Sequence, residues 1–206
     1  MKGLILKDLY NLKSYIRYIL VAMLVFSVIS MFNEVAFIAG MLTIMISILS
    51  VTSFSYDQQS KWDRYALSLP ISKTQIVTAK YLLGGIFALT GAVLSFVCVT
   101  AVQLLRHQPI DMGIVVLVYA CFAAAVLMIS IMLPLTIKFG VEKGRIMILL
   151  VAFIPAILVV LLSKAGVAMP SDAQVMFLIK LSPAILAVVA FLSYLISCGV
   201  YGRKEI

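Results

Sequence analysis

The chain has 206 residues, of which 64% are hydrophobic and only 12% are charged. A soluble domain carries about twice that share of charge, so the composition excludes an ordinary soluble protein and leaves room for about six membrane spans of about 20 residues each. The formal net charge of +8 does not indicate nucleic-acid binding, because the lysines and arginines bracket apolar runs and form no patch with interleaved aromatic residues. We therefore predict an all-α, polytopic membrane protein with a single transmembrane domain over residues 1–206.

The N-terminal segment, residues 1–15, is amphipathic at helical spacing. Its polar face carries Lys7, Asn11 and Ser14. Its apolar face consists of Ile5, Leu9, Leu12 and Ile16. This pattern predicts a helix that lies in the membrane interface. A frayed, basic N-terminus is the alternative.

Six long apolar runs follow and predict six transmembrane helices. Their bounds are about 17–32, 35–54, 81–105, 113–137, 146–162 and 183–201. The intervening residues 163–182 are too polar at their start to span, and their later part, QVMFLIKL at 174–181, predicts a short outer re-entrant or interfacial helix. If the N-terminus is cytoplasmic, the lysines and arginines that face outward are only Arg106, Lys164 and Lys180. The positive-inside rule therefore places both termini, and the segment between the second and third spans, in the cytoplasm.

That central segment is the longest one that could not lie in a bilayer. Its polar residues recur at helical spacing, and Asp57 and Lys61, four apart, predict an exposed ion pair. The apolar residues on the other face are Trp62, Tyr65, Ala66 and Leu69. The pattern predicts a short amphipathic helix over residues 57–69, which Pro70 ends because proline disfavours helical geometry in the residue before it.

A second helix is predicted to begin directly after this one. Ser72 and Gln75 have the spacing of a capping box, in which the side chain of each residue accepts a hydrogen bond from the backbone N–H of the other. The sequence then continues without a break into the third apolar run. The short helix is therefore predicted to be a docking handle that is rigidly joined to a spanning helix.

Apart from Arg17 at the start of the first span, the six predicted spans contain no Asp, Glu, Lys, Arg or His. Carriers driven by protons or voltage need ionisable groups inside the membrane, and membrane enzymes need paired acids or histidine clusters. His107, the only histidine, falls in a loop, and the chain has no phosphate-binding loop motif. We therefore predict a chain that is not an enzyme, with no catalytic residue, metal or cofactor of its own. Any uphill transport would draw its energy from another subunit.

Three hydroxyl residues of the second predicted span share one face, namely Thr43, Ser47 and Ser50. Such a stripe can line a translocation path or hydrogen-bond to a neighbouring helix, and packing is the commoner use. The three residues are candidates for a path through the membrane.

A more specific pattern in the central segment consists of Trp62, Tyr65, the SLPISK run at 68–73, Ile76-Val77 and Lys80-Tyr81. It resembles the first cytoplasmic loop of type-2 ABC exporter permeases. Those permeases have an interfacial N-terminal helix, six spans, and this loop between spans two and three, so the layout of the whole chain is similar to theirs. The chain most resembles small stand-alone permeases of Gram-positive bacteria, including those that export cytolytic or antimicrobial peptides.

The resemblance implies that the loop helix is a coupling helix, which fits into a cleft of a separate ATPase subunit that holds ATP and magnesium. By this resemblance, the coupling positions are Trp62, Asp63, Arg64, Tyr65, Leu69 and Pro70. Asp57 occupies the place of an acidic residue that often precedes such a helix. The resemblance further implies a dimer of permeases, identical or related, with two ATPases, in which the second and fifth spans border the exit route.

We therefore predict the transmembrane subunit of an ATP-driven exporter in a bacterial plasma membrane, surrounded by lipid and without a nucleic-acid partner. A span interior without charges favours an amphipathic or hydrophobic cargo such as a peptide. The alternative is a non-transporting immunity, sensor or scaffold subunit that binds a cytoplasmic partner through the same loop.

Overall fold

A computed structural model describes residues 2–32, 34–68, 70–141, 143 and 172–203. All regular structure among these residues is α-helical, as the composition predicts. The helices are α1 (Lys2–Leu12), α2 (Tyr15–Ser30), α3 (Val35–Gln59), α4 (Trp62–Leu67), α5 (Lys73–Leu105), α6 (Met112–Phe139) and α7 (Asp172–Gly202).

Within the described part of the chain, four helices are long and apolar enough to cross a membrane: α3, α5, α6 and, from Ile179 onward, α7. α1 and α2 together form a fifth candidate, with a bend of 59° between them. The first, second, third, fourth and sixth predicted spans each overlap one of these helices. The fifth, at 146–162, lies outside the described residues, so a total of six spans stays a prediction.

α1 packs along α3 and α5 through a ridge of residues four apart. Leu4, Asp8 and Leu12 are buried on this ridge. The predicted apolar face is therefore wrong in part, because Leu9 and Ile16 are exposed while the charged Asp8 is buried. The helix turns this face inward because Asp8 finds buried partners of opposite charge. The position of α1 in a membrane interface stays a prediction.

The predicted single helix over residues 57–69 is divided in the structure. α3 continues to Gln59, and Lys61 then adopts a left-handed conformation with a φ of 52°. A left-handed residue turns the chain and ends the regular helical hydrogen bonding, so α4 is a separate helix of six residues. Asp57 consequently belongs to the last turns of α3, and α4 ends before Pro70 as predicted.

The predicted start of α5 is confirmed. Ser72 is the N-cap, its hydroxyl accepts from the backbone N–H of Gln75 at 3.2 Å, and its own N–H donates to the Gln75 side chain at 3.2 Å. α5 then runs for 33 residues. That length corresponds to about 50 Å, compared with about 30 Å for the hydrocarbon core of a bilayer. The helix is thus long enough to span and to extend outside the membrane.

The prediction for the C-terminal part needs a correction, because α7 is one continuous helix from Asp172. Pro183 was predicted to open the last span, but it lies inside the helix. Proline removes the hydrogen bond to the carbonyl four residues earlier, at Ile179. The hydroxyl of Ser182 donates to that carbonyl at 2.7 Å, which compensates the loss and allows the helix to continue.

α3 and α5 form the centre of the bundle, and each of the other described helices packs against at least one of them. The two central helices come very close where Gly91 of α5 faces Thr43 of α3. A Cβ atom at Gly91 would lie 3.2 Å from both the Cα and the carbonyl oxygen of Thr43. A larger residue would require the backbone at Thr43 to move by a few tenths of an ångström, so Gly91 favours the close spacing of the central pair.

Candidate functional site

α1, α4, the start of α5 and the ends of α6 and α7 lie together at one end of the bundle. An apolar cluster joins four of these elements, and it contains Ala66, Ile76, Val77, Ile137 and Tyr201. α1 reaches the same end through Lys7, whose amino group lies 4.2 Å from the ring centre of Trp62 on α4. The predicted common side for the N-terminus, the central segment and the C-terminus agrees with this arrangement. That this side is the cytoplasmic one stays a prediction.

Among its described side chains, α4 has one that is fully buried and one that is largely exposed. Ala66 is fully buried in the apolar cluster, whereas Tyr65 leaves 59% of its surface exposed. The rings of Trp62 and Tyr65 contact each other with their centres 5.3 Å apart, and Trp62 is half-buried. Tyrosine and tryptophan are the residue types that are enriched at the centre of protein interfaces, and here an exposed tyrosine packs on a half-buried tryptophan.

The structure brings together only some of the predicted coupling residues. Asp63 and Arg64 lie on α4 between the two aromatic residues, but their side chains are outside the described part, as is all of Leu69. Pro70 is exposed just after α4. Asp57 does not lie on α4 at all, because it belongs to the last turns of α3.

Asp57 is buried, with 6% of its surface exposed. The sequence predicts an exposed ion pair with Lys61, and this prediction is wrong. The carboxylate of Asp57 instead pairs with Lys7 of α1 and, at 2.6 Å, with Lys80 of α5. The reason is the greater length of α3, which carries Asp57 inside the bundle end where two other helices supply lysines.

Asp57 belongs to a closed ring of alternating charges, which we call the charge ring: Lys7, Asp57, Lys80 and Asp8. Lys80 pairs with Asp8 at 2.9 Å, and Asp8 pairs with Lys7 at 3.1 Å, which closes the ring. The amino group of Lys80 also donates to the hydroxyl of Ser53 at 2.6 Å. The ring thus connects α1, α3 and α5, and its four formal charges sum to zero.

The charge ring is shielded from solvent on most sides. Asp8 and Lys80 are 1% and 3% exposed, while the side chain of Lys7 is 22% exposed. Burial of single charges is strongly unfavourable, so charged groups at such depth need partners of opposite sign. Each member of the ring has two such partners within 3.1 Å, but the Lys7–Asp8 contact is electrostatic only, because Asp8 Oδ1 accepts no hydrogen bond from the described residues.

The charge ring was not predicted from the sequence, although a signal existed for two of its members. Asp8 lies midway between Leu4 and Leu12 at helical spacing, and Lys80 follows Ile76 by four residues. A charge on an otherwise apolar helical face indicates a buried partner. Opposite charges on two such faces could therefore have been paired, but their distance in the fold is not visible in the sequence.

The predicted path residues Thr43, Ser47 and Ser50 are buried between α3 and α5. Thr43 donates to the carbonyl of Ala39 at 2.7 Å and lies 3.2 Å from the hydroxyl of Ser95 on α5. The other two hydroxyls donate to carbonyls of their own helix at 2.7 and 2.8 Å. These contacts are those of helix packing within one chain. A role in a translocation path would require α3 and α5 to separate along this line and stays a prediction.

A small cavity of about 80 Å³ adjoins the charge ring on the side of α6 and α7. Asp57 and Lys80 form part of its wall, together with Thr136 and Tyr201. Nearby, the side chain of Gln58 accepts from the backbone N–H of Val141 at 3.1 Å, which ties the end of α3 to the residues after α6. The cavity is large enough for a few water molecules but not for a peptide or lipid.

A family model described as ABC-2 family transporter protein matches residues 3–202. Comparison with curated proteins gave no match. The matched region includes α4, the charge ring and the hydroxyl stripe, and it confirms the resemblance to type-2 ABC permeases that the central segment indicated.

Proposed function

The chain belongs to the ABC-2 family of transporter proteins, and from this premise we propose that it is the membrane subunit of an exporter driven by a separate ATPase. The observation that carries the proposal is the form of α4. It is a short helix at one end of the bundle, anchored by Ala66 and presenting Tyr65 outward. An element that is fixed on one face and exposed on the other can receive force from a partner and pass it on.

In this proposal the ATPase contacts Trp62, Asp63, Arg64, Tyr65, Leu69 and Pro70, and the side of the membrane that carries α4 is the cytoplasm. Asp57 does not contact the ATPase, because it is buried in the charge ring. It acts instead in the anchor behind the coupling surface. ATP and magnesium are bound by the partner, and this chain is not itself an enzyme.

Force on α4 reaches the spanning helices by two routes. The first is the apolar cluster, in which Ala66 packs with Ile76 and Val77 near the capped start of α5. The second is the contact between Trp62 and Lys7, which leads into the charge ring. Closure of two ATPase subunits would thus move α4 and α5 together and switch a dimer of permeases, identical or related, between inward- and outward-open states.

The proposed cargo is amphipathic or hydrophobic, such as a peptide, and it leaves a bacterial cell across the plasma membrane. The support is the scarcity of charge in the spans, since small ions need charged or strongly polar ligands inside the membrane. Thr43, Ser47 and Ser50 line the path in this proposal once α3 and α5 separate. A non-transporting immunity, sensor or scaffold subunit would use α4 in the same way but would not couple its partner's ATP hydrolysis to transport.

The test uses the chain co-expressed with its ABC ATPase, with and without Tyr65→Ala. Truncation of a central interface aromatic commonly weakens binding by about 2 kcal/mol or more, or about 30-fold. We therefore expect the variant to lose the ATPase on co-purification and to lose ATP-dependent transport in vesicles. Tyr18→Ala is the matched control, because Tyr18 is similarly exposed, at 63% compared with 59%, but lies on α2.

An ATPase that co-purifies equally well with the Tyr65→Ala chain would contradict the role of α4. Retained binding and ATP hydrolysis by the unmodified complex, with no transport of any peptide tested, would instead favour the sensor or scaffold alternative.

A further inference from the structure

The charge ring can satisfy its four charges in two different ways. In the first pairing, Lys7 pairs with Asp57 and Lys80 pairs with Asp8, so that both ion pairs join α1 to the central helices. In the second, Lys7 pairs with Asp8 within α1, and Lys80 pairs with Asp57 between α5 and α3. All four contacts are present at once in the structure.

The second pairing has a consequence for α1. Neither of its ion pairs crosses from α1 to another helix, so α1 can leave α3 and α5 while each charge keeps an opposite partner. A buried pair that loses one partner is strongly destabilised, but this ring avoids that penalty. We propose that the charge ring is a releasable clamp, which holds α1 against the bundle in one state and frees it in another.

The choice of residues supports a clamp rather than a permanent joint. Apolar side chains of similar size would hold α1 at least as firmly, because a buried ion pair often contributes no more than a hydrophobic contact. The neighbouring Leu4 and Leu12 show that α1 also uses such contacts. Charges differ from apolar groups in that they can exchange partners, and exchange is what a release step needs.

The ring is also placed where α4 can act on it. Lys7 is the most exposed member of the charge ring, and its amino group lies over the indole of Trp62. A shift of α4 therefore moves or uncovers Lys7 first. The 59° bend at residues 13 and 14 lies at the other end of α1 and can serve as its hinge. Release of α1 would therefore follow movement of α4, whatever causes that movement.

The test uses the purified chain alone in lipid nanodiscs, where both membrane faces are accessible. The native Cys98, Cys121 and Cys198 are changed to alanine, and Leu4→Cys is introduced on the buried face of α1. The rate at which this cysteine reacts with a water-soluble maleimide measures how accessible that face is. The double change Lys7→Asp and Asp8→Lys makes both contacts to the central helices repulsive but preserves both pairs of the second pairing. We expect it to raise the labelling rate about tenfold, because two close attractive contacts become repulsive.

Two controls show whether α1 alone is released. Val77→Cys, buried in the apolar cluster that contains Ala66 of α4, must stay slow to react in the same double variant. Adding Asp57→Lys and Lys80→Asp restores alternating charges all round the ring and should return Leu4→Cys to slow labelling. Ser53 is compatible with this reversal, because a hydroxyl can donate to a carboxylate as well as accept from an amine.

Three results would overturn the clamp. They are an unchanged Leu4→Cys rate in the double variant, simultaneous exposure of Leu4→Cys and Val77→Cys, or no restoration when all four charges are reversed. The test needs no ATPase, so its failure would leave the proposed transport function untouched. Failure of the transport function would likewise leave the clamp standing as a property of this chain.

Discussion

The two ends of the central α3–α5 pair are held together by different forces. At the end remote from α4, Ile38 and Leu42 of α3 pack with Val99 and Val102 of α5 and with Ile114 of α6 in an apolar cluster. At the end near α4, the same two helices meet through Asp57 and Lys80 in the charge ring. Apolar packing depends on shape and has one best arrangement, whereas ion pairs can change partners. The α3–α5 pair is thus held by complementary shape at one end and by exchangeable ion pairs at the other.

The largest effect is expected at the charged end, for Lys80→Met. It would leave two buried carboxylates to share Lys7, and removal of one partner from a buried ionic group costs about 3–5 kcal/mol. Thermal unfolding in detergent should show a strongly lowered midpoint. Adding Asp8→Asn restores the balance of charge and should recover much of the loss. The exposed Lys13→Met serves as control, and an equal loss in both single variants would argue against the ring.

A smaller loss of stability is expected where α3 and α5 are held together by close packing and not by charge. Gly91→Ala places a methyl group 3.2 Å from backbone atoms of Thr43, and such overpacking costs about 1–3 kcal/mol. Gly85→Ala is the matched control on the same helix, because a Cβ there meets nothing within 4 Å. The intrinsic helix preference is the same for both changes, so the difference between their unfolding midpoints measures the close approach. If the two variants unfold together, Gly91 does not determine the helix spacing.

The smallest expected effect is the difference in stability loss between alanine variants of two serines on α3. Ser53→Ala removes a hydrogen-bond acceptor of Lys80, and we expect a loss of about 1 kcal/mol because both carboxylates remain. Ser47→Ala removes only a hydroxyl that bonds to its own helix, so a change within about 0.5 kcal/mol is expected. Denaturant or thermal unfolding of the two variants, side by side, makes the comparison. Equal losses would show that Ser53 does not support the ring.

Much of the fold was accessible from the sequence, because hydropathy and capping act locally. The apolar runs marked α3, α5 and α6, and the Ser72–Gln75 pair marked the start of α5 within one residue. Helix ends were less predictable. Ser182 allows α7 to continue through Pro183. α3 continues past Asp57 to Gln59, although a charged residue favours an end to a buried helix. Both depend on partners that the local pattern does not reveal.

The candidate site was accessible only in part, for the same reason. The amphipathic pattern and the family resemblance located the short helix around Trp62 and Tyr65, since both features are read from neighbouring positions. The partners of Asp57 come from positions 7, 8 and 80, which only the packing of three helices brings together. The family match extends over residues 3–202 but does not reveal these contacts either.

The central claim is that α4 is the surface through which an ATPase acts on this chain. A photoreactive phenylalanine analogue at position 65, in the chain co-expressed with its ABC ATPase, tests it most directly. We predict a covalent product with the ATPase on irradiation and none when the analogue is placed at position 18. No product from position 65 in a complex that still hydrolyses ATP, or equal products from both positions, would contradict the account.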